Sequence, residues 1–292
     1  MNGLVLQAAT EAQLESFIAR PAHALLIVGP EGVGKSALAQ ALCLQLLKLA
    51  GKNALVKYPY VRFVAPENGS ISIDMVRALQ QFTKLKIADQ PAEKPRRIII
   101  LEQAHTMTLE AQNAVLKLLE EPPSDTLFGL TATNDRELLP TIRSRAQTIS
   151  VKRPTEKSLT AHLVAQNFDR TKIRQAYLMS GGLPGLMHAL LTNADHPLAQ
   201  AATQARQLLQ VSPFERLATV DTLAKQKADC QRVLTVMQQM AQIALEQAAS
   251  KDGTNRPLAR WQRILAASYE AEAALLANAQ AKLVLTNFML AL

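Results

Sequence analysis

One octet limits this chain more than any other feature: Gly29-Pro30-Glu31-Gly32-Val33-Gly34-Lys35-Ser36 fits the pattern G-x-x-x-x-G-K-[ST] at every fixed position. An apolar stretch, Ala24–Val28, precedes it, and a stretch rich in Ala, Leu and Gln follows. The loop therefore joins a strand to a helix. Glycines at 29, 32 and 34 let the backbone curl until successive N–H groups converge on one anion. The helix opening at Lys35 aims the positive end of its dipole at the same point. Lys35 adds a mobile charge for the β- and γ-phosphates, and Ser36 a hydroxyl for Mg²⁺. The backbone of Val33 and Ala37 belongs to the same cradle. The expectation is a site for ATP or ADP with Mg²⁺.

A second acidic position follows in Arg96-Arg97-Ile98-Ile99-Ile100-Leu101-Glu102-Gln103-Ala104-His105. An apolar strand that ends in an acid suits the Mg²⁺ hydration shell, which assigns Glu102 an indirect metal contact. An active phosphohydrolase site of this type places a second acid next to polarise water. Here Gln103 stands in that place, and an amide is no base near neutral pH. Slow hydrolysis by the isolated chain is expected.

Strand candidates Ala24–Val28, Val61–Val64, Ile98–Leu101, Leu127–Thr131 and Thr148–Val151 alternate with helix candidates Ala8–Ala19, Lys35–Ala50, Ile73–Lys84 and Leu109–Glu120, with a turn at Leu138–Ile142. This alternation predicts a mostly parallel sheet covered on both faces over residues 1–152. Helical patterns take over at Arg153-Pro154. Thr155 is a plausible N-cap, a helix from Asp169 stops at Gly181-Gly182, and Pro184 suits the first turn of the next. Residues 153–195 read as a small helical domain. Residues 196–292 read as all-helical, with patterns over Leu198–Val211, Pro213–Ala224, Asp229–Ala249, Pro257–Ala277 and Lys282–Leu292 and an exposed loop at Lys251–Arg256.

Cys43 and Cys230, far apart in sequence, build neither a disulfide framework nor a zinc knuckle and read as buried thiols in a reducing compartment. No signal peptide is indicated, and the apolar runs are strand-sized, so a cytoplasmic location is expected. The formal net charge of +8 is compatible with a DNA partner without establishing one. Lys84, Lys86, Lys94, Arg96 and Arg97 form basic clusters with two readings, a face toward a phosphate backbone or a solvated surface. His23 reads as structural or as a neighbour of the base or ribose.

Further segments carry a family resemblance. Asn113-Ala114-Val115-Leu116-Lys117-Leu118-Leu119-Glu120-Glu121-Pro122-Pro123 resembles the helix signature of bacterial clamp-loader subunits of the AAA+ class. Leu138-Leu139-Pro140-Thr141-Ile142-Arg143-Ser144-Arg145-Ala146 is similar to their Ser-Arg-Cys motif, with Ala146 in place of Cys. Several features resemble the delta-prime subunits within that family. The segment Tyr58-Pro59 to Arg77 is one, and the pair Glu102-Gln103 in place of Asp-Glu is another. Pro184 stands where the gamma/tau motor would carry its sensor-2 arginine, and Asn278–Leu292 looks like a delta-prime C-terminal helix that stops without the motor's extension. The resemblance covers nearly the whole chain, residues 195–275 only in helical character.

This resemblance implies an AAA+ P-loop domain followed by a helical lid and an all-α collar. It implies a subunit of the DNA polymerase III clamp loader that works with gamma/tau motor and delta subunits, the sliding clamp and primer–template DNA. It makes Arg145 an arginine finger acting in trans on a neighbour's ATP, and puts Thr133, or the adjacent Asn134, at the sensor-1 position. Many relatives insert a four-cysteine zinc module after the P-loop helix; Leu47–Lys57 is short and has no cysteine, so no zinc is expected. The competing readings are an active motor subunit, a stand-alone P-loop kinase or signalling NTPase, and a passive DNA-binding adaptor.

Overall fold

The computed structural model describes residues 4–85, 87, 96–192, 197–249 and 255–292. They form two compact units, Met1–Arg153 and Pro154–Leu292.

In the first unit, β1 (Ala24–Val28), β2 (Val61–Val64), β3 (Arg97–Leu101), β4 (Thr126–Ala132) and β5 (Gln147–Ser150) make one sheet in the order β2-β3-β4-β1-β5. Every neighbouring pair is parallel. Parallel strands need crossovers, which helices supply. They are α2 (Lys35–Leu46) with α3 (Lys52–Lys57), then α4 (Ile73–Thr83), α5 (Leu109–Glu120) and the short α6 (Pro140–Arg143); α1 (Ala8–Ala19) precedes β1. Side chains alternate across the sheet. Leu26, Ile99, Leu101, Phe128 and Leu130 join a core with Val76 and Leu79 of α4 and Val115 and Leu119 of α5. The intervening Leu25, Ile27, Ile98, Ile100 and Leu127 are equally buried. On the helices of that side, α1 packs on β5 and α2 on β4. Two covered faces explain why the strands read as unbroken apolar runs.

Capping marks where helices start. Ser72 Oγ accepts from Met75 N–H, and Thr108 Oγ1 from Ala111 N–H at 3.2 Å. The helix expected over Lys35–Ala50 ends earlier, at Leu46. Lys48 takes a left-handed conformation (φ 53°), and Gly51 (φ 92°) then opens α3, which the sequence pattern did not single out. A lysine in that conformation carries no recognisable breaker signal.

Arg97 corrects the reading of the basic cluster. It is 1% exposed, neither solvated nor facing a partner. Its Nη1 donates to Thr83 O at 2.6 Å, its Nη2 donates to Leu85 O, and Asp125 Oδ1 lies 4.0 Å from Nη1. The guanidinium also sits 5.3 Å from the centre of the Phe82 ring, with Arg62 at 4.4 Å from the same ring. The end of α4 has carbonyls without intrahelical donors, and a buried arginine fork satisfies them. Lys84 is exposed and Arg96 half-buried, while Lys86 and Lys94 lie outside the described residues. His23 is exposed, and its carbonyl accepts from Phe128 N–H at 2.8 Å.

The second unit is all helix: α7 (Glu156–Ala165), α8 (Arg170–Ser180), α9 (Pro184–Thr192), α10 (Pro197–Gln210), α11 (Pro213–Ala224), α12 (Lys227–Ala249), α13 (Asn255–Leu276) and α14 (Ala281–Ala291). Thr155 caps α7 and Asp169 caps α8 by accepting from first-turn N–H groups. Ser212 and Glu215 form a reciprocal capping box on α11. Helix α12 is the central rod, packed against α8, α10 and α13, with Val233, Leu234, Val236, Met237 and Ala241 buried. Gly181 (φ 69°) ends α8 where a Cβ would come within 2.8 Å of Gln239 Cβ on α12. In the exposed loop expected at Lys251–Arg256, residues 251–254 lie outside the described residues; Asn255 already starts α13. Cys43 and Cys230 are both buried, which pushes their thiols up to about 12 and about 11. Among the described residues no helix is long and apolar enough to cross a membrane.

Arg97→Ala takes the donors from the Thr83 and Leu85 carbonyls and opens a cavity where a side chain 1% exposed had stood, so unfolding free energy should fall by about 3 kcal/mol. Guanidinium chloride unfolding followed by circular dichroism measures it. Arg97→Lys should recover only part of the loss, because an ammonium cannot span both carbonyls as a planar fork does.

Candidate functional site

Because all five strands are parallel, their carboxyl ends share one edge of the sheet. Gly29, Glu102, Thr133 and Val151 each follow directly on a strand there. Gly29 N–H donates to Ala132 O at 3.1 Å, and Val151 N–H to Val28 O at 2.7 Å. A Cβ on Gly29 would stand 2.5 Å from Val151 O, so only glycine lets the chain leave β1 at this point. Gly32 (φ 78°) and Gly34 (φ 98°) then turn the loop through left-handed conformations. A Cβ on Gly34 would meet nothing within 4 Å, so open space lies before it. Helix α2 starts at Lys35 with no side-chain cap, and Ser36 and Ala37 are exposed in its first turn. The first N–H groups of α2 are thus left for an outside acceptor.

Lys35 is 9% exposed, and its Nζ donates to Gly29 O at 2.6 Å and Pro30 O at 2.9 Å. Burial lowers its pKa to about 8, partly offset by the Glu31 charge. No carboxylate lies within 4 Å of it among the described residues. A nearly buried ammonium held only by neutral carbonyls, beside open space and uncapped N–H groups, fits a polyphosphate in charge and in donor chemistry.

Beside the cradle, Glu102 is half-buried, with its N–H donating to Val64 O at 2.8 Å. Gln103 is exposed and left-handed (φ 51°), and its N–H donates to Thr131 Oγ1 at 3.0 Å. His105 was quoted in the motif without a role. Its Nε2 lies 3.3 Å from Thr133 Oγ1, and its Nδ1 is buried with no hydrogen-bond partner. Burial lowers its pKa, opposed first by the Glu137 charge, with Lys35 adding to the lowering and Glu31 opposing it. Asn134 Oδ1 accepts from Arg136 N–H at 2.9 Å and so caps a 3-10 turn.

Arg145 lies apart. Its Nη2 is 2.9 Å from Glu120 Oε1, and its Nη1 donates to Thr141 O at 3.1 Å. Helix α5 leaves the carboxyl edge after β3 and returns to the start of β4, so Glu120 is at the amino edge. Arg145 is also two residues before β5 begins, which puts it at that edge by a second route. Gln112 was not singled out from the sequence, yet it docks the arginine-bearing segment on α5. It is 6% exposed, its Oε1 accepts from Leu139 N–H at 2.8 Å, and its Nε2 donates to Glu137 O at 3.3 Å. A glutamine on a helix has no distinguishing pattern; its neighbour Asn113 opens the quoted signature.

Residues 7–155 match the sequence profile of the family described as DNA polymerase III, delta subunit. DNA polymerase III subunit delta' of Pseudomonas aeruginosa is 36% identical over 142 residues, covering 44% of this chain and 42% of the relative. The subunit delta' of Bacillus subtilis is 30% identical over 161 residues, covering 51% of this chain and 47% of the relative. The chain thus spans about half the length of the curated relatives it matches. A crystal structure of a DNA polymerase III gamma subunit-related protein from Thermotoga maritima superposes with a TM-score of 0.55 at 19% identity, over 96% of this chain and 97% of the other. At that identity the likeness speaks for the fold alone. A profile match that spans the sheet-bearing unit and half of the chain makes this protein a member of the DNA polymerase III delta-subunit family, of the delta-prime kind.

Proposed function

We propose that this chain is a nucleotide-binding, non-motor subunit of a bacterial clamp loader, which lends Arg145 to the ATP site of an adjacent gamma/tau-type motor subunit. The observation that carries the proposal is the division between the two edges of the sheet. The cradle and its lysine stand at one edge, and the arginine of the Ser144-Arg145 motif stands at the other.

In this reading the N–H groups of Gly32, Gly34, Lys35, Ser36 and Ala37 hold the phosphates, Val33 N–H joins them on leaving Pro30 O, to which it donates at 3.3 Å, and Lys35 leaves its carbonyl partners to meet them. Ser36 and Glu102 orient Mg²⁺ through the phosphates and water; among the described residues no three His, Cys, Asp or Glu side chains cluster to hold a metal ion alone. ATP, when bound, supplies a transferable γ-phosphoryl group and its charge. Thr133, oriented by His105, stands at the strand end where a polar side chain senses that group. Gln103 positions water without taking a proton, so the chain's own turnover is slow. Residues 153–195 serve as lid and 196–292 as the collar that joins motor and delta subunits. The assembled, cytoplasmic complex opens the sliding clamp on primer–template DNA. Gln103 in place of an acid weighs against an active motor, and the second edge with its half-buried arginine, paired with Glu120, weighs against a stand-alone kinase.

With the chain reconstituted among motor and delta subunits, Arg145→Ala should slow hydrolysis at the adjacent motor site by about 10²-fold or more, with assembly intact by native mass spectrometry. Unchanged single-turnover hydrolysis would remove the role. The purified chain alone should bind ATP and turn it over far more slowly than the assembled loader; brisk turnover would refute the non-motor reading.

Lys35 gives a pH signature. In the free chain it is charged below about pH 8 and increasingly neutral above. A bound polyphosphate favours the charged form and raises its pKa. Binding therefore takes up a proton once the pH passes about 8, and affinity falls with further rise in pH by at most about tenfold per unit. Calorimetry in buffers of different ionisation enthalpy reads the uptake directly.

A further inference from the structure

We propose that Glu120 is a positioning residue for Arg145, holding its guanidinium in the orientation in which a neighbouring subunit's nucleotide meets it. The proposal rests on the reading of Arg145 given above and names the group that prepares it.

Helix energetics do not ask for an acid at this position. Glu120 is the last residue of α5, and Glu121 follows as its C-cap. The negative end of the helix dipole disfavours carboxylates there. An acid placed against that field finds its favourable partner outside the helix, in the Arg145 guanidinium at 2.9 Å. Thr141 O, at 3.1 Å, takes a second nitrogen of the same fork. Two acceptors on two different elements fix a planar group in direction as well as position. Five N–H donors are available to the fork, so contacts remain for an incoming phosphate. The side chain is about one-third exposed, 35% for Arg145 against 49% for Glu120, so the pair is open to a partner surface and not sealed in a core.

The two acceptors do not drift relative to each other. Gln112, on the same helix as Glu120, ties down Leu139 N–H and Glu137 O, while Leu138 and Ile142 are buried beneath the segment. Thr141 therefore moves with α5, and so does Glu120. Arg143, the other arginine of the segment, pairs instead with Asp135 at 3.5 Å and does not compete for Glu120. Without Glu120 the Arg145 side chain keeps one carbonyl contact and regains rotamer freedom, which the transition state must then remove again.

The test uses the reconstituted loader and a double-mutant cycle at the motor site that Arg145 serves. Glu120→Ala should lower the single-turnover rate about five- to twentyfold, with ATP affinity and assembly unchanged. Glu120→Gln, which keeps an acceptor oxygen, should recover most of the rate. In the Arg145→Ala background Glu120→Ala should change nothing further. If Glu120→Ala is silent while Arg145→Ala is damaging, the role of Glu120 falls and the arginine finger stands. A Glu120→Ala rate above wild type would overturn positioning in favour of a restraining contact. Equal losses in both backgrounds would mean a structural effect independent of Arg145. A silent Arg145→Ala sinks the finger and this proposal with it.

Discussion

Parallel pairing is the constraint on which the rest of the first unit depends. Once five strands run the same way, each return must cross the sheet as a helix, and the sheet acquires two chemically different edges. Loops that leave strands collect at one edge and those that enter collect at the other. The strand order then brings β1 between β4 and β5, so the glycine loop opens among three strand ends. The glycine loop stands at the first edge, and Arg145, paired with Glu120, at the second.

Charge burial sets the second term. The first unit hides Arg97 and nearly hides Lys35, and it treats them differently. Arg97 is met by carbonyls, a carboxylate and an aromatic ring, and its role ends with holding α4. Lys35 is met by two carbonyls only, beside unoccupied N–H groups. A cation left short of negative charge beside uncapped helix N–H groups matches an anion in charge and in donor chemistry.

The sheet and the cradle were legible because each rests on local rules. The strand Ala24–Val28, the helix Leu109–Glu120 and the glycine octet are set by periodicity, caps and positive φ, all of which leave marks in composition. The break after Leu46 was not legible, since Lys48 in a left-handed conformation looks like any helical lysine. Arg97 was misread for a related reason: a basic cluster has one appearance whether it faces water or a row of helix-end carbonyls. Gln112, His105 and the Glu120–Arg145 pair depend on contacts between elements 25 to 28 residues apart, and no residue type signals such contacts.

The two thiols carry a practical consequence. Cys43 inside α2 and Cys230 inside α12 lose ionisation to burial, so at neutral pH the thiolate is a vanishing fraction of each. Maleimides and oxidants find no nucleophile on the native surface. A single cysteine introduced at a solvent-facing position would therefore be the sole reactive handle, and a fluorophore attached there would report the motions of the folded protein without a cysteine-free background having to be made first.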